Sequence, residues 1–175
     1  MSHPIPQDIH IRSHYLEKVR PFMDQKMIKV ITGQRRVGKS YLLFQLINFI
    51  RDKKGGLHFL YINKEDLAFS FIKNAADLNE YVLANKAKHA TTYVFIDEIQ
   101  DIADFGTALR SLLLHDDIDL YCTGSNANLL SGDIAGYLSG RYVEVEVYSL
   151  AYAEFLSFHH LEDNDHSLDK FMKYG

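Results

Sequence analysis

The chain has 175 residues, 47% hydrophobic and 24% charged, which suits one domain with a sizeable core. Its net charge of -4 predicts no bulk attraction to nucleic acid or to acidic membrane surfaces, although a nucleic-acid or protein client stays open. The single cysteine, Cys122, excludes an intrachain disulfide. No signal-peptide core or bilayer-spanning apolar run is present, so the default expectation is a cytoplasmic protein with no membrane partner.

Residues 1–26 read as an extended, proline-containing lead-in followed by a helix from Ile11 to Met23. A strand is expected at Lys29–Thr32, then a helix from Lys39 to Arg51 that stops at Gly55-Gly56. A strand at Leu57–Ile62, a helix at Ala75–His89 and a strand at Thr92–Ile96 follow. Next come a helix at Ala103–His115 and a strand at Ile118–Thr123, on which Cys122 reads as a buried small side chain. A Gly/Ser/Asn-rich segment with a short helix leads to a fifth strand at Tyr142–Val147. Ala151–His160 and Ser167–Tyr174 are helical. His159 and His160 stand near Glu162, Asp163 and Asp165, but the spacing reads as a solvated polar surface rather than a metal site.

Strands alternating with helices of this length imply an α/β fold. The expected architecture is a three-layer sandwich around a mostly parallel five-stranded sheet, with helices on both faces. Right-handed crossovers then bring the strand tips to one edge. The expected division is a lead-in at 1–26, a core at 27–150 and, at 151–175, the start of a helical lid or C-terminal region. A chain that stops in or just after a helix reads as a fragment of a longer protein.

Gly33-Gln34-Arg35-Arg36-Val37-Gly38-Lys39-Ser40 is a complete G-x-x-x-x-G-K-[ST] phosphate-binding loop between an apolar run and an amphipathic helix. The glycines let successive N–H groups face phosphate oxygens, and the helix N-terminus adds its positive end. Lys39 can reach β- and γ-phosphates, and Ser40 can place a hydroxyl on Mg²⁺. The nucleotide-binding set is therefore Gly33, Gln34, Arg35, Arg36, Val37, Gly38, Lys39, Ser40 and Tyr41. Arg35 and Arg36 can touch phosphate or adenine, or project to solvent.

A β-rich apolar run ends in Asp97-Glu98. Asp97 is the candidate Mg²⁺ partner opposite Ser40, through water, and Glu98 the candidate polariser of an attacking water. The alternative is a strand followed by a solvated acidic turn. Ser125 and Asn126, just after the fourth strand, are alternative sensors of a γ-phosphate, although Gly-Ser-Asn also makes a good turn. Arg141, opening the fifth strand, can act as an arginine finger on a neighbouring copy, cap a helix or bind a carboxylate. Asn63-Lys64-Glu65-Asp66 matches the N-K-x-D guanine reader, but it precedes the Asp97 strand and reads as a polar loop.

The segments Ile28–Ser40, Phe95–Gln100, Thr123–Asn126 and Leu138–Tyr142, with Leu150 and Glu154-Phe155-Leu156, together resemble the prokaryotic AAA-like P-loop ATPases of uncertain role. The resemblance covers about residues 11 to 160. It implies ATP rather than GTP, Mg²⁺, and an extra strand between the phosphate-loop strand and the Asp97 strand. It also implies a C-terminal region, often DNA-binding-like or nuclease-like, beyond this chain. An arginine finger at Arg141 acting in trans would require a homo-oligomer of the full-length protein. Ser149 departs from the family, which usually has proline there. The leading expectation is an ATP-hydrolysing switch within a larger protein. The alternatives are a nucleotide-gated binding module with little turnover and a small-molecule kinase on the same fold.

Overall fold

In the computed structural model, residues 9–53, 57–125 and 136–174 are described. The chain begins with α1 (Ser13–Val19), which passes into a 3-10 turn at Arg20–Phe22 where Pro21 fits the first turn. The strands are β1 (Ile28–Thr32), β2 (His58–Asn63), β3 (Thr92–Asp97), β4 (Ile118–Gly124) and β5 (Tyr142–Glu146). The helices that follow α1 are α2 (Lys39–Lys53), α3 (Ala75–Asn85), α4 (Phe105–Leu112), α5 (Tyr152–His159) and α6 (Asp165–Tyr174).

The five strands form one sheet in the order β2-β3-β4-β1-β5, and every pairing is parallel. β4 lies between the β1 strand that carries the phosphate loop and the β3 strand that carries Asp97, as the family resemblance implies.

Side-chain alternation along the strands divides the core between the two faces. Ile28 and Val30 of β1, Val94 and Ile96 of β3, and Leu120 and Cys122 of β4 face α3 and α4. Ile31, Tyr93, Phe95 and Tyr121 face α1 and α2, which supply Tyr15, Leu16, Val19, Leu43, Leu46 and Ile47. Phe95 and Tyr121 stack with ring centroids 4.6 Å apart and planes 14° apart, locking β3 to β4 on that face. Lys29 and Asp119 form a buried ion pair there at the opposite edge from the phosphate loop. Burial pushes the Cys122 thiol up to about 12, which leaves it an inert core side chain.

Several helices are shorter than their periodicity predicts. α1 ends at Val19 rather than near Met23 because Pro21 tightens the chain. α3 stops at Asn85 rather than His89: the Asn85 side chain donates to the Tyr81 carbonyl, and Lys86 turns extended. At its start, α3 has a capping box, in which Asn74 accepts from Ala76 and Asp77 while Asp77 reaches back to the Asn74 N–H. α4 begins at Phe105 rather than Ala103 because Asp104 takes a left-handed conformation and Ala103 bridges to Asn74. The expected helix stop at Gly55-Gly56 lies outside the described residues, as does most of the expected short helix after β4.

Candidate nucleotide-binding site

β1 delivers the phosphate loop to the C-terminal edge of the sheet. Gly33 follows it with φ 142°, and a Cβ there would sit 2.3 Å from the Val147 carbonyl oxygen. Only glycine permits that approach of the loop to the chain leaving β5. Arg36 (φ 68°) and Gly38 (φ 93°) are also left-handed, so the loop turns on either side of Val37. Gly38 lines the cleft, and a Cβ on it would meet no protein atom within 4 Å. The Leu42 N–H then bonds the Gly38 carbonyl at 3.0 Å and starts α2.

The loop borders a cleft of about 740 Å³ lined by Arg35, Arg36, Gly38, Lys39, Ser40, Tyr41, Glu65 and Glu98. That size is in the range of small-molecule sites, about 300–1,000 Å³. Lys39 is 4% exposed. Its Nζ donates to the Gln34 carbonyl at 3.0 Å and lies 3.7 Å from Glu98 Oε1. Arg35 is well exposed and reaches Glu65 at 3.4 Å. Tyr41 is half exposed at the cleft mouth, its ring edge-on to Phe44.

Asp97, at the tip of β3, is 2% exposed. Its Oδ2 accepts from the Tyr61 hydroxyl at 2.9 Å and its Oδ1 from the Thr123 hydroxyl at 2.5 Å. Burial, with the Asp97 charge, pushes the Tyr61 hydroxyl well up, so it stays a donor. β2 and β4 thus clamp Asp97 from both sides while each oxygen keeps further accepting capacity. Thr123 also accepts from the Glu98 N–H at 3.0 Å, fixing the turn in which Glu98 takes φ 56°.

Glu98 Oε2 accepts from Gln100 at 2.6 Å and from Ser125 at 2.8 Å. Burial pushes the Glu98 carboxyl up, but the hydrogen bonds from Gln100 and Ser125 and the charges of Lys39 and Arg35 outweigh it. The net result lies below the ordinary carboxylate value.

Lys39, Glu98 and Ser125 are joined in one chain of contacts, with Asp97 beside it through Thr123. Asn126 lies outside the described residues. Arg141 stands apart from this group. It precedes Tyr142, which pairs with Ile28 at the start of β1, so it lies at the opposite edge of the sheet from Gly33. It is exposed, and its Nη1 lies 3.4 Å from the Ser139 carbonyl. The N-K-x-D segment is a structural turn. Asn63 accepts from the Glu65 N–H, Asp66 caps Ala68, and Lys64 Nζ donates to the Phe69 and Ile72 carbonyls.

Sequence reasoning did not single out Tyr61, Gln100 or Arg12. Arg12 is 6% exposed and donates to the loop carbonyl of Val37 at 3.1 Å. A lone arginine before a helix gives no such signal. Tyr61, on the strand beside Asp97 and in register with Phe95, was legible only once the strand order was known.

The residues present fit a polyphosphate and a divalent cation. A glycine cradle, a helix start and a buried lysine converge on the cleft that Glu98 borders. Among the described residues no cluster of three or more His, Cys, Asp or Glu could hold a metal by itself. A cation there would take oxygens from phosphate and water beside Ser40 and Asp97, the mode usual for Mg²⁺.

The parallel order with β4 inserted and the loop at the tip of β1 define a P-loop NTPase-like α/β domain. A family model described as an AAA domain matches residues 25–156, and the chain belongs to that family. An uncharacterized protein of Haemophilus influenzae is 36% identical over 170 residues, covering 94% of this chain and 42% of that protein. An uncharacterized protein of Methanocaldococcus jannaschii is 40% identical over 132 residues, covering 75% and 28%. The chain thus spans less than half the length of these relatives. AMPPCP-bound DnaA from Aquifex aeolicus shares the fold with a TM-score of 0.56 at 15% identity, covering 98% of this chain and 60% of that one. PCH-2 of C. elegans does so with 0.56 at 14%, covering 83% and 43%. Among the described residues no helix is long and apolar enough to cross a membrane.

Proposed function

We propose that this domain binds ATP with Mg²⁺ at Lys39 and Ser40 and hydrolyses it, driving a conformational switch within a longer cytoplasmic protein. The observation that carries the reading is the contact chain Lys39–Glu98–Ser125, set beside a buried Asp97 clamped by Tyr61 and Thr123. Family membership and a nucleotide-analogue-bound structural neighbour support it.

In this reading the amides of Gly33–Lys39 and the start of α2 hold the phosphates, and Lys39 adds a charge-assisted bond. Mg²⁺, when bound, supplies positive charge at the β- and γ-phosphate oxygens. Ser40 and Asp97 are the residues that would hold it. Glu98 accepts a proton from the attacking water, and Ser125 holds the carboxylate in place. Asn126 and Ser125 remain the two candidate γ-phosphate sensors. Residues 1–26, 27–150 and 151–175 serve in this reading as lead-in with its helix, core, and start of a helical lid or C-terminal region. A nucleic-acid or protein client belongs to the whole protein.

The contacts of Glu98 with Lys39, Gln100 and Ser125 favour the second reading, a nucleotide-gated module with slow turnover. The pKa of Glu98 is held down, and a weaker base removes a proton less readily. Both readings share the site and differ in rate. Phosphate release by the parent protein and by Glu98→Gln separates them. Hydrolysis through Glu98 predicts normal Mg·ATP binding and release slowed by about 100-fold or more in the variant. Equal release by both proteins would remove Glu98 from the chemistry.

A further inference from the structure

Arg12 lies in the segment before α1, 6% exposed, and its guanidinium binds three parts of the chain at once. Nε donates to Glu154 Oε1 and Nη2 to Glu154 Oε2, both at 2.9 Å, a two-pronged clasp on α5. Nη1 donates to the Val37 carbonyl at 3.1 Å and to the Tyr148 carbonyl at 3.0 Å. The remaining Nη2 donor reaches the Ser149 carbonyl at 3.5 Å. A guanidinium has five N–H donors, and each has an acceptor here.

The residue is fixed from behind as well. Its N–H bonds Gln45 Oε1 on α2, and Gln45 Nε2 returns to the His10 carbonyl. Its face lies over the Tyr15 ring, 4.6 Å from the centroid, while the Tyr15 hydroxyl accepts from the Tyr148 N–H. The acceptor in the loop matters most. Val37 sits between the two left-handed residues Arg36 and Gly38, where the phosphate loop turns. Glu154 in turn accepts from the Ala151 N–H and so defines the start of α5.

We propose that Arg12 is a positioning residue coupling the phosphate loop to α5, so that the set of the loop and the set of α5 change together. A lysine cannot replace it, because one ammonium has three donors and cannot span a carboxylate and three carbonyls in this fork geometry. The inference rests on the nucleotide reading only for its consequence. If the loop binds Mg·ATP, the nucleotide orders α5, and by linkage the Arg12–Glu154 clasp tightens nucleotide binding. The segment before α1 then carries the state of the site to α5.

Amide hydrogen exchange on the parent, Glu154→Gln and Arg12→Lys tests this. The Glu154 carboxylate bonds Arg12 and the Ala151 N–H, and glutamine keeps its size. Without nucleotide, both variants are expected to exchange the amides of Arg35–Lys39 about tenfold faster than the parent, with β3 amides unchanged. With Mg·ATP, α5 amides slow in the parent and stay fast in Arg12→Lys, and affinity for Mg·ATP falls about tenfold in Glu154→Gln. Parent-like loop exchange in both variants would overturn the proposal. So would equal acceleration across the whole chain, β3 included, which is the mark of a purely structural role. A loop loosened in Glu154→Gln beside a parent that binds no Mg·ATP would uphold the link and overturn the nucleotide reading instead.

Discussion

Ser125 Oγ donates to Glu98 Oε2 at 2.8 Å, so the tip of β4 holds the carboxylate that follows β3. The bond favours the ionised form of Glu98. Its folded pKa lies below the ordinary 4.5, so the shift contributes stability that is fully present above that value. That stability is lost as pH falls through the lower folded pKa. Ser125→Ala removes one of the two hydrogen bonds to Oε2, and the Glu98 pKa is expected to rise. An NMR titration of the Glu98 carboxyl reads this directly. An unchanged midpoint in Ser125→Ala would show that Gln100, Lys39 and Arg35 suffice.

Gly33 and Gly38 both have positive φ, but only Gly33 faces a backbone oxygen at clashing distance. Gly38→Ala should cost mainly the conformational penalty, about 1–2 kcal/mol. Gly33→Ala should cost more, because the Val147 carbonyl must also move or β5 must part from the loop. Urea unfolding of the two variants checks the order. A Gly33→Ala protein as stable as Gly38→Ala would mean that the loop is not held against β5 as described.

Arg141 cannot serve the cleft of its own chain from the start of β5, at the far edge of the sheet. Its proposed role is on a neighbouring copy in the whole protein, as an arginine finger. Arg141→Ala is expected to bind Mg·ATP normally, release phosphate slowly, and regain activity when mixed with Glu98→Gln. Mixing pairs one intact finger with one intact Glu98. Inactive mixtures at every ratio would leave Arg141 a structural role.

Much of this was legible in the sequence because local chemistry demands it. The phosphate loop needs glycine at Gly33 and Gly38, and alternating apolar strands between amphipathic helices leave few arrangements other than a parallel sheet. Asp97-Glu98 could be read from the strand that ends in them. Helix ends were less legible. Asn85 and Asp104 set them by side-chain bonding and left-handed geometry that periodicity does not encode. The clamp on Asp97 by Tyr61 and Thr123, and the reach of Arg12 to Val37 and Glu154, join residues far apart in the chain. Only the strand order and the packing of the N-terminal segment bring them together.

Calorimetric titration of the parent and Lys39→Ala decides whether the cleft at Lys39 takes Mg·ATP. Lys39 is buried, and a charge-assisted bond of its kind contributes about 1.5–3 kcal/mol. The parent is expected to bind Mg·ATP, and Lys39→Ala to bind it about tenfold or more weakly while unfolding at a similar temperature. Equal affinity in the two proteins, or no binding by a folded parent, would mean that the cleft is not a Mg·ATP site held by Lys39.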